Sequence, residues 1–276
     1  MVTLLCTVRG CALPLSRHDR AVVCASGHSF DVARSGYVNL LQPQDKRSRI
    51  PGDSKASVLA RRRLADRGFG TQLSDCLAAI LTRGMDRGPH AILDTGCGEG
   101  SHLAALAKQF HAEASGTDIS TAAIDLAARR YPAITWVVAN ADRFLPYADS
   151  SFDVVLSITS RRNGSEFSRT LTAHGVLIVV VPAPDDLIEL RRAILKEGVE
   201  RSRVDNVVDE LASWFVLETR TESREVRNIS RDEIDAILLT TYRGARKREM
   251  EAVSSLGGMK CTIAFDVMTF RRRSQS

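Results

Sequence analysis

The sequence has no apolar run long enough to cross a bilayer. Its longest, such as Val176–Val181 (VLIVVV), are of strand length, whereas a spanning helix needs about 20 consecutive apolar residues. The N-terminus lacks the basic segment, apolar stretch and small-residue cleavage site of a secretory signal. Both absences lead us to expect a cytoplasmic protein with no membrane partner. Cysteine is scarce, 6 in 276 residues, and three of the six (Cys6, Cys11 and Cys24) share one N-terminal stretch with His28. In a reducing cytoplasm such a cluster is not a disulfide framework and points to metal.

What is present is an ordinary globular composition, 44% hydrophobic and 26% charged. It suits one large domain, or a main domain with a small appendage. The net charge is +5 and the pI about 9.0. The positive charge gathers in five clusters, at Lys46–Arg49, Arg61–Arg63, Arg161–Arg162, Arg243–Arg248 and Arg271–Arg273. Charge runs are usually solvated surface. Their recurrence favours a polyanionic partner, because each phosphate contact releases condensed counterions.

The N-terminal spacing is C-x4-C, twelve residues, then C-x3-H. Zinc takes four thiolate or imidazole ligands as a tetrahedron, commonly supplied as two close pairs on either side of a loop. Cys24 and His28 form one such pair, with Gly27 at the turn. Cys6 and Cys11 form a looser one, in which Gly10 helps the longer knuckle close. The competing reading is a buried thiol at each position, but so polar a segment has little core to hide them. Metal would supply the folding energy that so short a stretch cannot obtain from burial. Four protein ligands leave no open coordination position, which argues against a hydrolytic metal.

From residue 89 strands alternate with helices: an apolar strand ending at Asp94, a glycine turn, a helix from about Ser101, a strand ending at Asp118, a helix, and three further strands. This alternation predicts an α/β fold with a mainly parallel sheet, whose ligands sit beyond the carboxyl ends of the strands. The turn reads D-x-G-x-G-x-G over Asp94, Gly96, Gly98 and Gly100, not the G-x-G-x-x-G of a dinucleotide fingerprint. It resembles motif I of the class I S-adenosylmethionine-dependent methyltransferases, and implies their Rossmann-like fold behind a small zinc-binding module. By that resemblance Asp118 accepts hydrogen bonds from the ribose hydroxyls, and Asp142, after the third strand, holds the adenine amino group.

The zinc cluster followed by HSFDVARSGYVNLLQ, KRSRIPGDS, ARRRLADRG and ILDTGCGEG resembles one family more closely still. This is the bacterial 23S rRNA (guanine-N1)-methyltransferase family, which includes macrolide-resistance members. Gly36, Tyr37, Asn39, Leu40 and Pro51–Ser54 carry much of the likeness, since a general methyltransferase fold does not demand them. The resemblance runs to about Glu189, then more faintly to the end. It implies Cys6, Cys11, Cys24 and His28 as zinc ligands, and Gly96, Gly98, Glu99, Asp118 and Asp142 in the cofactor site beside Asp94 and Gly100. It also implies methyl transfer to N1 of a guanine in a 23S rRNA hairpin loop, and a homodimer that clamps RNA. Residues 1–35 would be the RNA-gripping zinc module, with Arg9, Arg17, His18 and Arg20 toward phosphates. Residues 36–88 would link and cover the cofactor, and 89–276 would form the methyltransferase domain.

The chain departs from the family pattern in four places: four residues rather than two between Cys6 and Cys11, Gly70 where an aromatic is usual, Asp186 in place of a histidine, and SITSRRNGSE after the fourth strand in place of an Ala-Pro step. In that loop Ser160, Arg161, Arg162 and Asn163 are candidates for guanine recognition, Arg162 and Asn163 above all. No residue is singled out as the base. Two rival readings stand beside this one: a methyltransferase acting on another RNA position or a small molecule, and a non-catalytic RNA-binding protein. The tail from Leu195 mixes helical and strand patterns, and Lys260–Arg273 alternates as a closing strand.

Overall fold

The computed structural model describes residues 2–45, 51–195, 202–241 and 257–273. The basic clusters Lys46–Arg49 and Arg243–Arg248 lie outside them. Three short strands open the chain: β1 Leu15–His18, β2 Ala21–Cys24 and β3 Ser29–Asp31 form an antiparallel sheet. Strand β2 buries Val22 and Cys24 at alternate positions, the period-two pattern that turns one face inward. A two-residue strand, β4 (Val38–Asn39), follows. Helix α1 (Lys55–Asp66) starts where Ser54 caps it, accepting from Ser57 N at 3.2 Å. Gly70 turns the chain into α2 (Thr71–Gly84) with φ +84, and a Cβ there would meet His102 Cε1 at 2.8 Å. The histidine occupies the space a larger residue would need.

The alternating region then runs β5 Ala91–Thr95, α3 Ser101–Phe110, β6 Glu113–Asp118, α4 Thr121–Arg130, β7 Thr135–Val138, β8 Phe152–Ile158, α5 Gly164–Thr170 and β9 Leu171–Pro182. After it come α6 Ile188–Leu195, α7 Val204–Leu211, β10 Phe215–Ser230, α8 Arg231–Thr241 and β11 Gly258–Arg272. The main sheet has eight strands in the order β10-β11-β9-β8-β5-β6-β7-β4. β4 to β9 run parallel, and β11 is antiparallel to both β9 and β10. The strand over Lys260–Arg273 thus lies inside the sheet rather than at its margin, and the long, charged β10 forms the edge.

Neighbouring residues of the central strands face opposite cores, as in any sheet covered on both sides. Leu93, Val155 and Leu177 join Phe167, Val207 and Phe215 on one face. Ile92, Val154 and Ile178 join Leu77, Leu103 and Ile124 on the other. The N-terminal segment contributes Val22, Val38 and Leu40 to the first core, and Leu5 N donates to Pro146 O at 2.9 Å. Strand order reverses between β5 and β8, which places a crevice beyond their carboxyl ends. Among the described residues no helix is long and apolar enough to cross a membrane.

Candidate functional site

That crevice holds a cavity of about 450 Å³, bordered by Gly96, Gly98, Asp118, Asn140 and Asp142, within the size range of small-molecule sites. Both glycines adopt positive φ, +73 at Gly96 and +57 at Gly98. A Cβ at Gly96 would collide with Ser160 Cβ at 2.4 Å, whereas at Gly98 it would find nothing within 4 Å. Gly96 therefore admits the loop after β8, and Gly98 leaves open the cradle that a ligand's backbone-hugging portion would fill. Gly98 N donates to Asp118 Oδ2 at 2.9 Å and Ser120 N to Asp118 Oδ1 at 2.8 Å. Desolvation pushes the Asp118 carboxyl above the usual range, against the pull of those amides and of Arg61.

The other expected residues are distributed differently. Asp94 lies beneath the turn, 2% exposed, and its Oδ1 has no hydrogen-bond partner among the described residues. Burial, with Asp118 and Glu99 nearby, pushes its carboxyl up to about 8. Glu99 does not border the cavity. It accepts from Arg62 Nη1 at 2.8 Å and Ser101 N at 3.2 Å, tying α1 to the start of α3. Gly100 gives room to Trp136, which a Cβ would meet at 2.4 Å.

Two features of the cavity lie within residues 36–88, the segment expected above to cover the cofactor, though neither was singled out there as a site residue. Arg61, part of a basic cluster read above as favouring a polyanionic partner, borders the cavity from α1. Its Nη2 lies 2.9 Å from Asp53 Oδ2, and its Nε is buried without a partner among the described residues. Pro51, Gly52 and Asp53 close the same side. Gly52, at φ +80, sits so tightly on the turn after β6 that a Cβ would approach Ser120 Cβ to 2.7 Å, and Ser120 Oγ donates to Asp53 O at 2.9 Å. No compositional signal separates Arg61 from Arg62 or Arg63; only the phase of α1 does.

Thr159, at the end of β8, has φ +50, a strained value for a β-branched residue. It begins a loop that borders this cavity and two smaller adjoining ones. One, of about 360 Å³, is lined by Asp142, Thr159, Ser160, Arg161, Arg162 and Glu210. The other, of about 250 Å³, includes Thr159, Arg162, Arg203 and Asn206. Ser160 Oγ fastens the loop to Thr95 O at 2.6 Å. Arg161 Nη1 donates to Asp142 Oδ2 at 3.3 Å. Asn163 caps α5, and its Nδ2 donates to Asp142 O at 3.0 Å and Ala141 O at 3.2 Å. Arg162 Nε reaches Glu210 Oε2 at 2.7 Å. Glu210 and Asn206 belong to the tail, where no motif marks them.

At the other end of the molecule, Cys6, Cys11, Cys24 and His28 bring their ligand atoms within 4.8 Å of one another. Cys11 Sγ to Cys24 Sγ is 3.7 Å; His28 Nδ1 is 3.5 Å from Cys6 Sγ and 3.4 Å from Cys24 Sγ. A tetrahedron with Zn–S near 2.3 Å and Zn–N near 2.0–2.1 Å has edges of about 3.8 Å and about 3.5 Å. The knuckles close through Cys11 N donating to Val8 O at 3.0 Å and Gly27 N to Cys24 O at 2.9 Å. Burial pushes the Cys6 thiol up to about 12. At Cys24 burial is outweighed by the amides of His28 and Ser26, which bring the thiol down to about 7. The donor set, three cysteines and a histidine at tetrahedral spacing, is that of structural zinc. C-x4-C spacing is no obstacle to this geometry.

Residues 92–174 match the family described as "Methyltransferase domain", and residues 5–49 the one described as "RlmA, N-terminal". The fold is that of the class I methyltransferases, with an N-terminal zinc ribbon. A 23S rRNA (guanine(748)-N(1))-methyltransferase of Streptomyces fradiae is 34% identical over 83% of this chain and 81% of its own. A protein of Micromonospora griseorubida is 33% identical over 81% of each chain, and one of Bacillus subtilis 37% identical over 66% of each. Both are provisionally named as 23S rRNA (guanine-N1)-methyltransferases.

Proposed function

Because the chain belongs to the 23S rRNA (guanine-N1)-methyltransferase family, we propose that it transfers a methyl group from S-adenosylmethionine to N1 of a guanine in a hairpin loop of 23S rRNA. The observation that carries this reading is the loop after β8, which borders both the cavity at Gly96, Gly98 and Asp118 and an adjoining one lined by Arg162 and Glu210. Donor and acceptor in adjoining cavities at one strand end are what in-line displacement needs, and proximity with orientation then supplies much of the acceleration.

Bound in the cavity, S-adenosylmethionine supplies a methyl group already activated by its sulfonium. Asp118 would accept from the ribose hydroxyls, and Asp142 from the adenine amino group. Gly96 and Gly98 would let the backbone approach the ligand. Arg61 would hold the α-carboxylate, a charge-assisted contact that suits its unpartnered Nε. Asp94, Glu99 and Gly100 would shape the turn rather than touch the ligand. Zinc, held by Cys6, Cys11, Cys24 and His28, would brace the N-terminal module. On this reading residues 1–35 grip RNA, 36–88 cover the cofactor and 89–276 carry out the transfer. The protein works in the cytoplasm, as a homodimer that clamps the hairpin. The target guanine must be unpaired, since its N1 edge is hidden in a Watson–Crick pair and RNA is read specifically in loops and bulges. Arg162 would donate to guanine O6, and Asn163 would hold the Asp142 loop in place.

The test is transfer of labelled methyl to 23S rRNA transcripts, read by primer extension. A discrete stop at a loop guanine, lost in Asp118→Ala, is expected. Labelling without a stop would place the methyl off the pairing edge and overturn the N1 assignment.

A further inference from the structure

Helix α7 buries Val204, Val207 and Leu211, a stripe at i, i+3 and i+7 that docks on the core. Asn206 and Glu210, one turn apart, flank that stripe and border the two cavities beyond Thr159. Trp214, just past α7, lies on Gly164 at the start of α5, where a Cβ would come within 2.4 Å of its ring. The helix and the loop after β8 are therefore held as one unit. Across the join, Glu210 Oε2 receives both Nε of Arg162, at 2.7 Å, and its Nη2, at 2.6 Å. Among the described residues Arg162 Nη1 makes one long contact of 3.4 Å, to Ser160 O. The Glu210 side chain is 42% exposed.

The pairing edge of guanine presents two adjacent donors, N1–H and N2–H, beside one acceptor, O6. A carboxylate next to a guanidinium is its complement. Adenine, with an acceptor at N1, would set a lone pair against the carboxylate. We infer that Glu210 and Arg162 read the pairing edge of the acceptor guanine, and that Glu210 takes the N1 proton. The inference rests on the function proposed above. In the step, the N1 proton passes to a Glu210 carboxylate oxygen and the N1 electron pair forms the new N–CH3 bond. The pair of the broken S–CH3 bond stays on sulfur, leaving S-adenosylhomocysteine. Arg162 Nη1, donating to O6, offsets the negative charge that gathers there as N1 loses its proton. The other charged groups around these cavities are Asp142 and Arg161, which line the one that Glu210 borders, and Arg203, which lines the adjoining one. Arg162 thus both positions Glu210 and leaves a donor for the base.

The full-length protein would be assayed on a 23S rRNA transcript from about pH 6 to 9, with calorimetry of S-adenosylhomocysteine and RNA filter binding in parallel. Glu210→Gln is expected to lower kcat about 100-fold or more, the share typical of a positioned base, with both affinities unchanged. Its residual rate should climb with pH as solvent removes the N1 proton, while Arg162→Lys falls between. If Glu210→Gln keeps kcat within about threefold of the parent, or loses rate only through weaker RNA or cofactor binding, the inference is overturned. If the parent protein makes no N1-methylguanine at all, the proposed function falls with it. Parent activity retained by the variant sinks only the role of Glu210.

Discussion

Asp94 is a carboxyl group that the fold favours in its neutral form. Burial, together with Asp118 and Glu99, raises it to about 8 from an ordinary value near 3.9. The folded state therefore binds a proton between those limits that the unfolded state does not. The associated stability is complete below about pH 4 and is lost as pH rises through about 8. The stability difference between the parent and Asp94→Asn, measured by urea unfolding of the ligand-free protein, should shift by on the order of 2 kcal/mol against the parent from about pH 6 to 8. A difference that stays flat would mean Asp94 is ionised throughout. Arg61 makes a separate residue-scale prediction. Arg61→Met should weaken S-adenosylhomocysteine about tenfold or more but leave 5′-methylthioadenosine, which lacks the amino-acid portion, unchanged. Equal loss for both ligands would assign Arg61 to the shape of the cavity instead. Sequence alone could not reach this residue, because three consecutive arginines look alike until α1 fixes which one points inward.

At the scale of elements, the stretch from β5 to β9 was legible because each strand is a short apolar run bounded by turn residues, and Asp94, Asp118 and Asp142 fall at or just beyond strand ends. Two elements were not. β4 is a two-residue strand whose pairing partner, Val137–Val138, lies about a hundred residues away; no local pattern encodes such a contact. α7 has a clear buried stripe, but its functional side chains are exposed residues of common type, and only the tertiary fold sets Glu210 opposite Arg162. The cover over the cofactor cavity lies between these cases: Pro51–Ser54 was conspicuous in the sequence, while its purchase on Ser120 was not. Gly52→Ala would need a Cβ in a left-handed conformation 2.7 Å from Ser120 Cβ, so the loop must lift. The expected result is a loss of S-adenosylhomocysteine affinity of about tenfold with little change in Tm, since none of Pro51–Ser54 belongs to the hydrophobic cores. A drop in Tm of many degrees would show that the loop is part of the core instead.

At the scale of the whole molecule the zinc cluster and the transfer site are distinct in chemistry but joined in structure. The N-terminal segment pairs with the chain at Pro146 and Tyr147, and Thr7 Oγ1 donates to Leu40 O at 2.6 Å. Arg143 Nη2 reaches back to Thr7 O at 3.1 Å, and Val22 shares a core with Leu145 and Val155. Removing zinc should therefore lower Tm of the entire protein in one transition, whereas S-adenosylhomocysteine binding, which the reading above places in the cavity lined by residues between 51 and 161, should stay within about threefold. Two separate melting transitions would instead mark the module as independent. RNA affinity should fall with the metal, because the β1–β2 hairpin carries Arg17, His18 and Arg20, all exposed, on a scaffold that the thiolates hold. If those arginines meet phosphates, Arg17→Gln and Arg20→Gln will each weaken binding and flatten the slope of log affinity against log salt by about 0.7–0.9, the counterion release of one phosphate contact. A uniform loss of affinity with the slope unchanged would remove this hairpin from the phosphate-binding surface.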